Sequence, residues 1–174
     1  MVDVIVNAAH EKLEGGGGVD GAIHRAAGQS LLQECREIEE VEPGIRCRVG
    51  EAHITSGGNL FAKHVIHTVA PKFVGSVTNG VFKSINSQID IELSNCYISS
   101  IVLASLHNLE SIAFPSLGTG GHSYPIELAS EIALKTTLET LKCSGTIKNV
   151  RFVCYSQNDY EKYIEAYKNL YRGE

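Results

Sequence analysis

The sequence lacks the features that mark several common classes of protein. It has no Cys-x-x-Cys pair, and its five cysteines are odd in number and widely spaced. This pattern is typical of reduced thiols in an intracellular protein, cytoplasmic or nuclear, and not of a disulfide framework. The sequence shows no low-complexity segment, internal repeat, signal peptide or membrane-spanning run. We therefore expect one globular domain of 174 residues with no membrane association.

Positive charge is also in short supply. The chain has 15 lysines and arginines against 20 aspartates and glutamates, which gives a net charge of -5. Because phosphate backbones are bound mainly through Lys and Arg, this balance argues against a general nucleic-acid surface. It does not exclude a small anionic ligand held by backbone N–H groups. We expect no direct nucleic-acid partner.

Short apolar runs alternate with amphipathic segments along the chain. This alternation predicts an α/β sandwich with a mixed or parallel sheet. The predicted strands are Asp3–Asn7, Ala52–Ser56, Val65–Val69, Ile112–Pro115 and Val150–Tyr155. The predicted helices are Val19–Glu37, Asp90–His107, Ile126–Lys142 and Asp159–Tyr171. The polar stretch Lys72–Gln88 is expected to be a long connection.

Four successive glycines, at positions 15–18, follow the first predicted strand. Glycine contributes no side chain and loses the most backbone entropy on folding, so packing does not explain the run. A ligand that approaches the main chain does explain it, and the helix start that follows supplies N–H groups suited to a phosphate. A second glycine-rich loop, residues 118–123, follows the strand that ends at Pro115. Ligands bind at the carboxyl ends of strands in open α/β sheets, so the two loops are predicted to clamp a diphosphate.

Two familiar nucleotide-binding motifs fit this run poorly. Gly16, Gly18 and Gly21 match the spacing of the dinucleotide fingerprint, but residues 8–14 separate them from the strand, whereas a Rossmann strand leads almost directly into its first glycine. A P-loop is excluded because no Gly-Lys-Ser/Thr closes the run.

Three polar side chains around the glycines are candidates for chemistry. Asp20 lies in the first helical turn, where it either stabilises the helix dipole or meets a ligand hydroxyl or a water; the sequence leaves both open. Asn7 ends its strand, and its side chain either points into the crevice or holds the loop through side-chain-to-backbone hydrogen bonds. His10 is a solvated loop residue or a candidate acid, base or hydrogen-bond partner.

The sequence predicts no metal site. His64 and His67 are three residues apart on a strand, so their rings face opposite sides of the sheet. No other cluster of cysteine and histidine is apparent along the chain, and no Ser-His-Asp or Cys-His spacing identifies a nucleophile.

Several motifs, in order along nearly the whole chain, resemble the macro domain family and specifically its MacroD-type ADP-ribosyl hydrolases. The most specific motif is Asn7-Ala-Ala-x(5)-Gly-Gly-Gly-Gly-Val-Asp-Gly-Ala-Ile-His-Arg-Ala-Ala-Gly28. The others are Glu34-Cys-Arg36, Gly50-x-Ala-x-Ile-Thr55, Asn59-Leu-x-Ala-Lys63, Val65-Ile-His-Thr-Val69 and Phe114-Pro-x-x-x-Thr-Gly120.

The resemblance implies a fold and a set of site residues. The fold would be a three-layer α/β/α sandwich with a mixed central sheet, and the ligand ADP-ribose. Asp20 would contact the distal ribose or orient the attacking water, Asn7 would brace the loop, and Tyr155 would pack on adenine, its alternative role being core packing. The residues implied to present backbone to the diphosphate or to close over it are Gly17, Gly18, Val19, Gly118, Thr119, Gly120 and Gly121.

The chain departs from the family pattern at three places. The family usually has an extra N-terminal strand and an aspartate that reads the adenine amino group; this chain begins just before the Asn7 strand, so we expect that contact to be missing and a sheet edge to be open. Asp3 lies too far along the motif to replace it. The usual second asparagine, a distal-ribose ligand, is His10 here. The second loop has His122-Ser123 where an aromatic residue and a glycine are usual.

The resemblance implies an ADP-ribosyl hydrolase that acts without metal or cofactor. Its substrates would be modified acidic side chains of proteins or O-acetyl-ADP-ribose, with Asp20 orienting the water and His10 or His122 assisting as base or hydrogen-bond partner. The two histidine substitutions favour an alternative, a reader that binds ADP-ribosylated proteins without turnover. A third possibility is a domain that no longer holds ADP-ribose.

Overall fold

The computed structural model describes residues 1–78, 81–84 and 87–172. The strands are β1 (Val4–Ala8), β2 (Ala52–Ser56), β3 (His64–Thr68), β4 (Gly75–Thr78), β5 (Val81–Ser84), β6 (Ser111–Pro115) and β7 (Asn149–Val153). The helices are α1 (Gly18–Ala27), α2 (Gln29–Glu37), α3 (Ser87–Leu106), α4 (Ile126–Leu141) and α5 (Gln157–Arg172).

Five strands form one mixed sheet in the order β2-β3-β1-β6-β7. β2 runs antiparallel to β3, and the other neighbours are parallel. Most residues of the central strands β1, β3 and β6 are buried, as expected of parallel strands with helices on both faces. The predicted mixed sheet is confirmed, and β2 and β7 are its edge strands.

Helices cover both faces of this sheet. On one face α1 and α2 bury an apolar cluster that includes Ile23, Leu31 and Val65. On the other face α3, α4 and α5 enclose a larger cluster, in which the rings of Tyr97 and Phe114 lie 5.1 Å apart between centroids. The three-layer α/β/α sandwich implied by the resemblance is therefore confirmed.

The predicted single helix Val19–Glu37 is wrong, because Gly28 divides it into α1 and α2. Gly28 has a φ of +86°, a conformation that side-chain-bearing residues rarely adopt. A Cβ at this position would lie 2.7 Å from Asn59 Nδ2. The chain turns at Gly28 so that two short helices can both pack on the same face of the sheet.

The predicted long connection Lys72–Gln88 is wrong for much of its length. It contains the antiparallel hairpin β4–β5, and α3 already begins at Ser87. Residues 79, 80, 85 and 86 of this stretch lie outside the described residues. The hydroxyls of Ser84 and Tyr124 both donate to the carboxylate of Asp90, which ties the hairpin to the start of α3.

One helix qualifies the expectation about membranes. By length and composition alone, α3 is apolar enough to cross a membrane. Seven of its residues lie in the core, where they pack against the sheet and α4, and this position explains much of its apolar composition. Its outer face nevertheless exposes Ile91, Ile98, Val102 and Leu106.

Candidate functional site

The two glycine loops leave the sheet at the same edge. β1 and β6 are parallel neighbours, with Val4 opposite Ile112 in the register. The first loop leads from the carboxyl end of β1 into α1, and the second leads from the carboxyl end of β6 into α4. This is the edge at which open α/β sheets bind ligands.

The main chain of the first loop is open to a ligand. Gly17 is the N-cap of α1, and Gly17 and Gly18 are both exposed. Apart from the adjoining residues and the backbone of α1 itself, no atom of the described residues lies within 4 Å of where a Cβ would stand on either glycine. Because the first N–H groups of a helix have no intrahelical acceptor, those at the start of α1 are available to an anion.

Leu13 and Gly21 help to hold the first loop in place. Leu13 is 1% exposed and adopts a φ of 55°, so its side chain enters the core while the chain turns towards the glycines. Gly21 lets α1 pack directly against the loop, because a Cβ there would lie 2.2 Å from the carbonyl oxygen of Gly16. The glycine requirement at position 21 is therefore structural.

The second loop repeats this open arrangement. Gly118, with a φ of +80°, packs against Tyr124 and accepts a hydrogen bond from its N–H. Gly120 and Gly121 are exposed, and apart from the adjoining residues no atom in the described part of the chain lies within 4 Å of an added Cβ. The Thr119 hydroxyl donates to Ser116 O at 2.9 Å.

His122 lies beside this loop with one ring nitrogen fixed. Its Nδ1 lies 2.7 Å from Ala70 O, and since a carbonyl only accepts, Nδ1 carries the proton. In the neutral ring Nε2 is then the acceptor. The assisting role predicted for His122 would have to use that nitrogen.

Asp20 is buried at the start of α1, with 5% of its surface exposed. Its Oδ1 accepts a hydrogen bond of 2.7 Å from Asn7 Nδ2 and lies 3.4 Å from His24 Nε2. The N-cap of α1 is Gly17, so Asp20 is not the cap residue. Asn7 is fully buried and holds the Asp20 side chain directly, a contact that the sequence did not predict.

Behind Asn7 lies His67, which the sequence pattern did not identify as part of the site. Its Nδ1 is 3.1 Å from Asn7 Nδ2, and its Nε2 is 3.0 Å from Thr55 Oγ1 and 3.6 Å from Cys35 Sγ. Burial, with smaller contributions from neighbouring histidines, lowers the pKa of His67 to about 3. Burial likewise raises the pKa of Cys35 to about 12, so the ring and the thiol are both neutral.

The expectation that the chain has no cysteine and histidine cluster is wrong. His24, Cys35 and His67 bring three possible ligand atoms within 4.8 Å of one another. Both nitrogens of His67 already face hydrogen-bond partners, and a cation on Nε2 would break the contact with Thr55. The prediction of no metal site stays a prediction. As predicted, His64 lies apart from this cluster, beside His107.

The remaining predicted site residues lie on the surface. His10 is exposed; its Nδ1 faces the Lys12 N–H at 3.5 Å, and no hydrogen bond joins it to Asp20 among the described residues. Tyr155 is fully exposed and lies two residues beyond the end of β7 at Val153, whereas the sequence predicts a strand that continues to Tyr155. Its alternative role in core packing is therefore wrong. Next to it, Phe152, Ser156 and Tyr160 line part of a concave region of about 600 Å³.

Asp3 has a structural role. Its carboxylate accepts hydrogen bonds from Lys63 Nζ at 2.8 Å, from Ser111 Oγ at 2.7 Å and from the backbone N–H groups of Glu110 and Ser111. The hydrogen bond from Lys63 is the main cause that holds the pKa of Asp3 well below its usual range. This aspartate joins β1 to the start of β6.

Comparisons with known proteins agree with this geometry. A family model described as Macro domain matches residues 6–133. A macro domain-containing protein of Caldanaerobacter subterraneus subsp. tengcongensis is 46% identical, over 97% of this chain and 90% of its own. The O-acetyl-ADP-ribose deacetylase of Citrobacter koseri is 44% identical, over 90% of this chain and 82% of its own. Among solved structures, the Oceanobacillus iheyensis macrodomain with ADP has a TM-score of 0.87 at 40% identity, covering 99% of this chain and 86% of its own.

Proposed function

This chain belongs to the macro domain family, and on that premise we propose that it binds ADP-ribose between its two glycine loops and hydrolyses ADP-ribosyl esters. The substrate would be an ester on an acidic protein side chain or O-acetyl-ADP-ribose. The name of the Citrobacter koseri relative, an O-acetyl-ADP-ribose deacetylase, supports the proposed ester substrate. The ADP in the Oceanobacillus iheyensis structure supports the proposed nucleotide binding.

The observation that carries the binding proposal is the open main chain of four glycines from two loops. Gly17 and Gly18 border the crevice at the start of α1, and Gly120 and Gly121 border it on the second loop. A diphosphate held by backbone N–H groups and a helix N-terminus needs no lysine or arginine. This explains how a chain of net charge -5 can bind an anion.

Asp20 has the properties needed to orient a water. Asn7 donates to Oδ1, which leaves Oδ2, on the side of Gly16, for a ribose hydroxyl or a water. In the proposed step the water oxygen bonds to the ester carbonyl carbon, and the bond from that carbon to the ribose oxygen breaks. The proton of the water passes to Asp20 or the substrate phosphate and then to the leaving ribose oxygen.

A reader without turnover is the second candidate. It is favoured by His10, which is exposed and has no hydrogen bond to Asp20 among the described residues. It is also favoured by His122, whose Nδ1 is held by Ala70 O. A reader would bind ADP-ribose and leave the ester intact.

The test compares the wild type with Asp20→Ala on a glutamate-linked mono-ADP-ribosylated protein and on O-acetyl-ADP-ribose. We expect the variant to lose about 10²–10⁴-fold in turnover. Asp159→Ala is the matched control, since Asp159 also lies in the first turn of a helix but on α5. Full turnover by Asp20→Ala with normal ADP-ribose binding would contradict the mechanism. A wild type that binds ADP-ribose but retains the ester is a reader, and one that shows no binding in calorimetry contradicts both proposals.

A further inference from the structure

We propose that His67 is a positioning residue, which as its Nε2–H tautomer holds the amide of Asn7 and, through it, the carboxylate of Asp20. The inference rests on the proposed role of Asp20 and extends the site to a residue two hydrogen bonds away. Asn7 and His67 are register partners on the parallel strands β1 and β3, so the sheet itself sets them side by side. Both are fully buried.

The direction of each hydrogen bond follows from the acceptor at one end. The carboxylate oxygen of Asp20 accepts, so Asn7 must present Nδ2 to Asp20 Oδ1, and the two atoms are 2.7 Å apart. The same Nδ2 lies 3.1 Å from His67 Nδ1, which must therefore carry a lone pair. The proton of the neutral ring is then on Nε2.

On the other side of the ring, Thr55 accepts the hydrogen bond from His67 Nε2–H. His67 Nε2 lies 3.0 Å from Thr55 Oγ1, and the Thr55 hydroxyl can donate onward to Ser56 O at 3.1 Å. Thr55 is 6% exposed, so water does not readily replace it. Cys35 Sγ, at 3.6 Å from Nε2, is a weaker acceptor than a hydroxyl. The hydrogen bonds from Asn7 through His67 to Thr55 and Ser56 are then mutually consistent.

The opposite arrangement is unfavourable at the site itself. With the proton on Nδ1, the Asn7 amide would have to turn its oxygen towards the ring. One rotation moves both groups of the amide, so Nδ2 would leave Asp20. In the present orientation Asn7 Oδ1 is buried and has no hydrogen-bond partner among the described residues. The tautomer of His67 therefore determines whether Asn7 turns its Nδ2 or its Oδ1 towards Asp20.

Thr55→Val tests this series of hydrogen bonds, because valine has nearly the shape of threonine but no hydroxyl. Thr55→Ser is the matched control that keeps the hydroxyl. The main readout is the ratio of the Kd values for ADP-ribose and ADP, measured by calorimetry. ADP has no distal ribose, so a displaced Asp20 weakens ADP-ribose alone. We expect Thr55→Val to raise the ratio about tenfold and Thr55→Ser to leave it within about twofold. A merely structural role would weaken both ligands equally.

A second readout does not depend on any ligand. The ¹⁵N shifts of the His67 ring should report a protonated Nε2 and a bare Nδ1 in the wild type, and a protonated Nδ1 in wild type would overturn the inference. So would an unchanged affinity ratio in folded Thr55→Val. If that variant does not fold, two variants of His67 replace it. His67→Asn offers an acceptor oxygen near the place of Nδ1 and should keep the wild-type ratio of the Kd values for ADP-ribose and ADP, whereas His67→Leu should raise that ratio. A wild type that binds neither nucleotide contradicts the proposed function, and the ring shifts still decide the tautomer.

Discussion

Replacement of Gly21 by alanine tests the idea that close packing of α1 shapes the first glycine loop. Gly21 is buried in α1, and an added Cβ would stand 2.2 Å from Gly16 O, where ordinary contact begins at 3.4 Å. Main-chain atoms would have to move by about 1 Å to accept it. The helix and the loop cannot both keep their present positions.

The close packing of Gly21 and its helix propensity predict opposite changes in stability for Gly21→Ala. Alanine in a helix interior is favoured over glycine by about 1 kcal/mol. Overpacking typically costs about 1–3 kcal/mol, so we expect Gly21→Ala to be destabilised on balance. For a domain of this size, 1 kcal/mol changes Tm by about 2–4 °C, so a fall of several degrees is expected. Because the loop must shift, affinity for ADP should fall as well.

Two other glycines supply the controls for thermal unfolding and ADP calorimetry. Gly120 is exposed with open space around it, so Gly120→Ala should leave Tm nearly unchanged but weaken ADP, because the methyl group enters the crevice. Gly145 is exposed in the connection between α4 and β7, and Gly145→Ala should change neither quantity. A Tm for Gly21→Ala equal to or above the wild-type value would refute the packing argument.

Three further predictions concern parts of the fold outside the loops. Gly28→Ala should lower the free energy of unfolding by about 1 kcal/mol or more, since alanine is strained at a φ of +86°; urea titration measures it, and unchanged stability contradicts it. Burial lowers the pKa of His67 from 6.5 to about 3, so below about pH 6.5 the unfolded chain takes up a proton that the folded one does not. The free energy of unfolding should then fall by up to about 1.4 kcal/mol per pH unit down to pH 3, and His67→Asn should have a shallower slope; an equal slope refutes the assignment. Burial raises the pKa of Cys35 to about 12, so a thiol reagent should modify exposed Cys143 at once and Cys35 only on unfolding; mass spectrometry of the labelled peptides checks this, and early labelling of Cys35 is the contrary result.

The glycine loops could be predicted because their signal is local. A run of glycines between a strand and a helix start indicates a main chain that something approaches closely, and residues 15–18 and 118–121 lie where that logic places them. The break at Gly28 was missed because the apolar spacing of α1 continues into α2. The hairpin β4–β5 was missed because its strands are short and every residue of β4 is exposed, which leaves no apolar face to recognise.

The polar chain behind Asp20 depends on information that the sequence pattern does not carry. His67 reaches Asn7 only because β3 pairs with β1 in one register, and it reaches Thr55 only because β2 pairs with β3. A shift of one residue would turn His67 to the other face of the sheet. Spacing along the chain placed His67 correctly relative to His64, but it could not show that His24 and Cys35 meet the same ring.

The candidate site has two parts that differ in which substitutions they tolerate. The part proposed to hold the diphosphate consists of main chain, so its sequence requirement is small residues. We expect most side-chain changes around it to act by steric hindrance and not through charge. The part around Asp20 uses side chains from β1, β2, β3 and α1, all buried, in which each hydrogen bond fixes the direction of the next. An unpaired buried donor costs about 1–3 kcal/mol, so a change at Thr55 reaches Asp20 although the two residues do not touch. If the proposed function is right, loss of affinity for both ADP and ADP-ribose reports on the loops, and loss of affinity for ADP-ribose alone reports on the buried hydrogen bonds from Thr55 to Asp20.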